Sequence, residues 1–159
     1  MGTLAAGGRT EAAGGARRES GVLQMTCSSM AKPPSTASAE VRELGDADLP
    51  AMRSLTARVY PWYFRARTPV MGRYVGVFDD DRLVAMGGER FRLEHACELS
   101  GICTDAAYVG RGYAGAIVRR LVESLLASDV VPFLHLSTEN TAHGRSTGRW
   151  DSWNAPSSR

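Results

Sequence analysis

The sequence predicts one α/β (α+β) domain with a mixed β-sheet flanked by helices. The chain has 159 residues, which is enough for a single domain with one hydrophobic core. Apolar residues make up 43% and charged residues 23%, as is typical of a globular protein. Strand-like and helix-like patterns follow one another in the order β-α-β-β-β-α-β, and such an order favours helices packed on a sheet.

The first 38 residues have a different composition from the rest. They are mainly Gly, Ala, Ser, Thr, Pro and Arg, with few large apolar side chains. Such a stretch cannot bury enough apolar surface to offset the entropy lost on ordering. We therefore predict a disordered tail at 1–38 and a folded domain at 39–142.

Two amphipathic helices are predicted from apolar periodicity. After a short strand near Val41, Asp46 is a suitable N-cap for a helix, and Pro50 fits its first turn. A stronger helix follows residue 112, with charged side chains opposite its apolar stripe. The two stripes comprise Leu49, Met52, Leu55 and Val59, and Ile117, Val118, Leu121, Val122, Leu125 and Leu126.

The segment between the helices predicts three strands. Alternating residues from Tyr74 and a return run from Leu83 form a hairpin around an acidic turn at 79–81, which is expected to be solvated. A third strand runs over 96–103, and 131–136 is predicted as a final buried strand. The aromatic segment 60–71 is a loop or short helix that either lines a substrate groove or packs on the core.

Composition excludes several classes of function. A net charge of +2 is too small to indicate a nucleic-acid partner, and no run reaches the ~18–20 apolar residues of a membrane helix. Neither a secretory signal nor a metal-binding cysteine spacing is present, so we expect a cytoplasmic protein without a metal. The oligomeric state is left open.

The most informative stretch joins the third strand to the stronger helix. Its glycines let backbone approach a ligand closely, and the free N–H groups of the first helical turn favour an anion. This predicts a phosphate or pyrophosphate cradle, and the alternative is a simple glycine-rich turn. The stretch consists of Val109, Gly110, Arg111, Gly112, Tyr113 and Ala114.

This loop and the order of elements resemble the GNAT superfamily of acyl-CoA N-acyltransferases. The family's loop is Gln/Arg-x-x-Gly-x-Gly/Ala. Gly112 and Ala114 are in register with it, whereas Val109 replaces the Gln or Arg. The resemblance covers about 40–142 and extends to the segments 72–78, 83–90 and 132–136. It implies an acyl-CoA N-acyltransferase-like sheet.

The resemblance also implies a function and a set of contacts. It implies a small cytoplasmic N-acetyltransferase that moves acetyl from acetyl-CoA to a primary amine of a small molecule or peptide. The pantetheine arm would pair with the backbone of Ile102, Cys103 and Thr104, and the pyrophosphate would bind the N–H groups of 110–114. Asn140 matches a position that often contacts the CoA arm. The alternative is an inactive CoA- or nucleotide-binding module.

Glu98 is the candidate general base. It lies fourteen residues before Gly112, a spacing that is similar to the base of some family members. The alternative is a solvent-facing or salt-bridged strand residue. Cys103 is not expected to be a nucleophile, and His95 and His135 are interpreted as structural.

The C-terminus departs from the family. The resemblance implies a helix after Asn140 carrying a tyrosine, the usual general acid for the CoA thiolate, and then further strands. Residues 143–159 instead show no apolar periodicity. Several codons are possible for each residue from His143 onward. If the reading frame starts at the third base of each codon, some of these codon choices encode a family-like segment with Leu-Tyr and then Leu-Gly-Phe. We hypothesise a frameshift near codons 141–143. The domain would then be incomplete and its activity impaired, and residues 143–159 would form a disordered tail.

Overall fold

The computed structural model describes residues 22–27, 39–61, 64–65 and 67–137. They form one six-stranded sheet with two α-helices. The strands are β1 (Val22–Thr26), β2 (Arg42–Leu44), β3 (Tyr74–Asp79), β4 (Arg82–Arg92), β5 (Ala96–Thr104) and β6 (Val131–Ser137); the helices are α1 (Leu49–Val59) and α2 (Tyr113–Leu126). The predicted fold class and the order of elements from β2 to β6 are confirmed.

The start of α1 differs slightly from the prediction. A short 3-10 helix at Asp46–Asp48 precedes it, and Asp48 is the residue before its first turn. The Asp48 carboxylate accepts the Gly45 N–H at 2.9 Å and is also ion-paired with Arg42. Asp46 therefore opens the turn that leads into the helix, and it does not cap α1 itself.

Strand β1 lies within the segment predicted to be disordered. It pairs antiparallel with β6, and the N–H of Cys27 donates to the Pro132 carbonyl at 3.0 Å. Cys27 is fully buried, and Met25 packs against the core. The structure differs from the expectation here because an open edge of β6 supplies backbone partners, which the composition of 1–38 does not reveal.

The sheet has one parallel pair, and that pair separates part-way along. The strand order is β1-β6-β5-β4-β3-β2, and only β5 and β6 are parallel. Their pairing runs from Ala96 and Val131 to Leu99 and Leu134, although both strands continue beyond it. An opening between β5 and β6 therefore begins after Leu99.

A bulge in β5 lies at the same level. Against β4, Gly88 pairs with Ser100 but Met86 pairs with Cys103, so β5 carries one extra residue at this point. Gly101 has a φ of +64°, a left-handed conformation that favours glycine. The bulge turns the end of β5 away from regular pairing beside the opening.

Each face of the sheet is covered by one helix. On the α2 face, the buried stripe of α2 packs on apolar residues of the strands, including Val75, Val84, Leu99 and Leu134. On the α1 face, a smaller cluster contains Met52, Leu55, Tyr74, Leu83, Met86 and Cys103. A buried carboxylate lies on each face: Glu89 beside Cys97 on the α2 face, and Glu98 on the α1 face.

Candidate active site

The loop before α2 takes the shape that its glycines allow. Gly110 and Gly112 have φ values of +84° and +82°, conformations that cost other residues about 1–2 kcal/mol. Gly112 is the residue before the first turn of α2. The two glycines thus let the chain turn sharply from β5 into the helix.

The first turn of α2 has the free N–H groups on which the predicted anion cradle depends. The N–H of Ala116 donates to the Gly112 carbonyl at 3.0 Å. The N–H groups of Tyr113, Ala114 and Gly115 precede that bond and have no acceptor within the helix. Together with the positive end of the helix dipole, they favour a negatively charged ligand.

Aromatic and cationic side chains cover the loop. The guanidinium of Arg111 lies 4.6 Å from the centre of the Tyr108 ring, which is stacked on Tyr113 at 6.4 Å. The Tyr108 hydroxyl donates to Asp79 at 2.5 Å, and this hydrogen bond raises the pKa of Tyr108. Arg111 is thereby held by stacking beside the first turn of α2.

Asp105 ties the start of the loop to both α1 and β4. Its carboxylate accepts hydrogen bonds from Arg82 at 2.7 Å and from Arg58 at 3.0 Å, and it also accepts the Ala107 N–H at 3.2 Å. The bond from Arg82 is the main cause of a lowered pKa for Asp105. The loop is therefore anchored at the point where β5 ends.

The end of β5 offers unpaired backbone toward the opening. Thr104 pairs with Ala85 of β4 on one side, and no residue of β6 in the described ranges pairs with 100–104 on the other. The predicted contact residues Ile102, Cys103 and Thr104 thus lie on a part of β5 whose backbone is unpaired on the β6 side. A peptide-like arm could add to that edge as another strand would.

The thiol of Cys103 is unsuited to nucleophilic attack. It is buried on the α1 face, and burial raises its pKa to about 12. Burial likewise raises the pKa of Cys97 to about 11. Since the thiolate is the reactive form, both cysteines act as small core residues, as the sequence indicated for Cys103.

Glu98 is buried in a network of charged groups. Its side chain is 2% exposed, and Arg90 binds both carboxylate oxygens at 2.9 and 2.5 Å. His135 Nδ1 lies 2.8 Å from Oε1 of the same carboxylate. Burial acts to raise the pKa of Glu98, but the hydrogen bonds from Arg90 and His135 outweigh it and lower the pKa. This is the salt-bridged alternative considered for Glu98.

The structure brings some predicted residues together and leaves others apart. Residues 102–104 and 109–114 lie on either side of the Asp105 anchor, at the end of β5. Glu98 lies further back on β5, before the opening. Asn140 and the segment 143–159 fall outside the described residues.

The aromatic segment after α1 contributes to a groove. Tyr60, Pro61 and Phe64 line an open groove of about 580 Å³ with residues of α1. Phe64 also packs edge-on against Tyr74 at 5.8 Å, and Trp62 is outside the described residues. The segment therefore both lines a groove and packs on the core. That this groove binds a substrate stays a prediction.

Arg90 and His135 were not predicted as site residues. They lie 8 and 37 residues from Glu98, so only the register of β4, β5 and β6 brings them to its carboxylate. The one available signal was His135 in a strand predicted to be buried.

Within the described ranges, no group of three or more His, Cys, Asp or Glu side chains could hold a metal ion. Neither described α-helix is long and apolar enough to cross a membrane.

Comparison with known proteins decides the family. The sequence model of the Acetyltransferase (GNAT) family matches residues 39–145. The chain belongs to this family. A GNAT-family protein from Novosphingobium aromaticivorans is 32% identical over 84% of this chain, with a TM-score of 0.71. The match covers 59% of that protein, so this GNAT chain spans less than two thirds of its length.

Two more distant structures share the GNAT fold. The ribosomal-protein-S18-alanine N-acetyltransferase of Escherichia coli is 19% identical, with a TM-score of 0.58 over 67% of this chain and 72% of its own. Rv2747 from Mycobacterium tuberculosis, solved in complex with CoA, is 21% identical, with a TM-score of 0.55 over 67% and 69%. No protein of curated function matches the sequence significantly.

Proposed function

We propose that this GNAT chain is an N-acetyltransferase that moves an acetyl group from acetyl-CoA to a primary amine. The observation that carries the proposal is the adjacency of the anion cradle at the start of α2 to the unpaired backbone edge of β5. A pyrophosphate and a pantetheine arm are joined in one molecule, and CoA has both. Rv2747, which shares the fold, was solved with CoA.

Each part of the loop has a role in this proposal. The N–H groups of 110–114 hold the pyrophosphate, and Arg111 adds a positive charge. The backbone of Ile102, Cys103 and Thr104 pairs with the pantetheine amides, and Asn140 contacts the same arm. Val109 stands where the family has Gln or Arg, so no polar side chain is available at this position. The backbone N–H groups therefore bind the pyrophosphate there. The bulge at Gly101 then turns backbone N–H groups toward a thioester in the opening.

The acceptor amine reaches the thioester from the α1 face in this proposal. The α2 face is closed by the apolar packing of α2, whereas the α1 face carries polar side chains near the opening. The acceptor class is a small molecule or a peptide amine. The Escherichia coli protein of this fold acts on the alanine of a ribosomal protein, which illustrates the second kind.

Calorimetric titration tests the cofactor part. We expect acetyl-CoA to bind the wild-type chain and to bind the Gly112→Val variant at least tenfold more weakly, because valine cannot adopt the left-handed conformation that shapes the cradle. Gly45→Ala is the matched control, since Gly45 has a φ of −115° and open space around its Cα. Equal affinity of Gly112→Val and wild type would contradict the cradle.

Release of free thiol from acetyl-CoA over a panel of primary amines tests the reaction. Amine-dependent release supports the transferase. Binding of acetyl-CoA with no release from any amine would instead indicate an inactive CoA-binding module. Tighter binding of NAD or ATP than of acetyl-CoA would indicate a nucleotide-binding domain.

A further inference from the structure

We propose that His135 is the proton acceptor for the amine and that Glu98 is a positioning residue that orients its ring. This inference rests on the proposed function and reassigns two residues within it. The juxtaposition that carries it is a partly exposed imidazole held by a buried carboxylate at the point where β5 and β6 separate.

The position of His135 follows from the strand register. Leu99 and Leu134 are the last pair between β5 and β6 and belong to the core on the α2 face. Because side chains alternate along a strand, Glu98 and His135 point to the opposite, α1 face. His135 is thus the first residue of β6 beyond the last pair, on the face from which we propose that the amine enters.

The carboxylate of Glu98 fixes which nitrogen of His135 carries the proton. Its lowered pKa keeps Glu98 ionised, so both of its oxygens can only accept hydrogen bonds. Nδ1 of His135 lies 2.8 Å from Oε1 and must therefore be the N–H that donates. In the neutral ring, the lone pair is then on Nε2.

Nε2 is available to an acceptor amine. The His135 side chain is 37% exposed, and Nε2 makes no hydrogen bond to any residue in the described part of the chain. The ring of Phe133 packs edge-on against the imidazole at 5.8 Å. A fixed ring with one outward lone pair is the arrangement that a general base requires.

Glu98 itself is poorly placed to accept the proton. Its side chain is 2% exposed, and Arg90 occupies both oxygens. An amine could not reach it without breaking that pair. The carboxylate instead stabilises the imidazolium that forms on His135, while Arg90 keeps the carboxylate charged.

In the proposed step, the amine loses a proton to His135 and attacks the thioester. The ammonium group gives one proton to Nε2 of His135, and the freed lone pair forms the C–N bond to the acetyl carbon. The C–S bond breaks and its electron pair leaves on sulfur as the thiolate. A second proton from the nitrogen neutralises the thiolate, and the proton on His135 passes to solvent.

The first test is a substitution that removes Nε2 and keeps a hydrogen-bond donor near the place of Nδ1. The amide of His135→Asn can still donate to Glu98 from the place of Nδ1, but it has no group at the place of Nε2. With ethylamine as the acceptor probe, we expect kcat/KM to fall about 100-fold with acetyl-CoA affinity unchanged. With 2,2,2-trifluoroethylamine, which is already neutral at neutral pH, the loss should be less than about threefold.

The pH profile gives a readout that a structural role would not move. Among the residues that the structure describes, the charged groups that face His135 are Glu98 on β5 and, behind it, Arg90 on β4; Gln24 of β1 is its neutral partner in register. We expect kcat/KM to rise with pH in the wild type, and this rise to disappear in His135→Asn. His95→Asn is the matched control, because the His95 side chain is 82% exposed and lies 3.6 Å from the carboxylate of its neighbour Glu94.

An NMR measurement tests the inference independently of turnover. Ring nitrogen shifts of neutral His135 should show the proton on Nδ1, and Glu98→Gln should admit the other tautomer. A proton on Nε2 in the wild type would overturn the inference, as would a His135→Asn variant with an unchanged rate and pH profile. Failure of acetyl-CoA to bind would overturn the proposed function as well.

Discussion

The two faces of the sheet are held by different physics. On the α2 face, five buried side chains of one long helix pack on apolar strand residues. On the α1 face, α1 buries only Met52, Leu55 and Thr56, and the sheet beyond it carries the network of Arg90, Glu98 and His135. The first face therefore holds the larger part of the apolar core, and the second holds the charged network next to the opening.

The largest expected effect tests the α2 face. Leu121→Ala removes a side chain that is 1% exposed from the centre of the stripe, so we expect the free energy of unfolding to fall by about 3 kcal/mol. Urea denaturation measures the change. The control Glu123→Ala on the exposed side of α2 should stay within about 0.5 kcal/mol. A loss below about 1 kcal/mol for Leu121→Ala would show that α2 is not the main support.

The next effect tests the α1 face. Glu98→Gln removes the charge that Arg90 and His135 share, and we expect a loss of about 2 kcal/mol at neutral pH. This is below the cost of breaking a fully buried pair, because Arg90 and His135 are each about one third exposed.

The same variant has a distinct pH dependence. The folded pKa of Glu98 is lowered, so its contribution to stability is present above the ordinary glutamate pKa of about 4.3 and is lost as pH falls through the folded pKa. The difference in unfolding free energy between wild type and Glu98→Gln should therefore shrink as pH falls below about 4. A difference that is constant down to acidic pH would contradict the charged state of Glu98.

The sequence could predict the α2 face well, because its signal is local. The stripe from Ile117 to Leu125 repeats within one helix, and the glycines that precede it mark the turn. The turn that we propose as the anion cradle is predictable for the same reason, since Gly112 and the first turn of α2 are neighbours along the chain.

The α1 face and β1 could not be predicted in the same way. The contacts of Glu98 join residues 8 and 37 positions away, so they depend on strand register that no local pattern specifies. Strand β1 depends on the free edge of β6 and not on its own composition. The frameshift near codons 141–143 stays a prediction. The match to the family's sequence model ends close to this point, at residue 145.

A smaller effect tests the turn that begins α2. Gly112→Ala forces a side chain into a left-handed conformation, and we expect a loss of about 1 kcal/mol in unfolding free energy. Gly45→Ala should be neutral or slightly stabilising, because its φ of −115° suits any residue. Equal melting curves for the two variants would show that the loop before α2 relaxes without strain.

The smallest effect separates the hydrogen bond between Tyr108 and Asp79 from the positive charge of Arg111. Tyr108→Phe removes the hydroxyl that donates to Asp79 but keeps the ring beneath Arg111, so we expect a loss of about 0.5 kcal/mol and an acetyl-CoA affinity within about twofold of wild type. Arg111→Ala should do the reverse, with little change in stability and weaker binding of acetyl-CoA. Thermal melts and calorimetric titrations of both variants measure the pair of effects. If Tyr108→Phe weakened acetyl-CoA binding as much as Arg111→Ala, the Tyr108–Asp79 hydrogen bond, and not the charge of Arg111, would determine the affinity of the cradle.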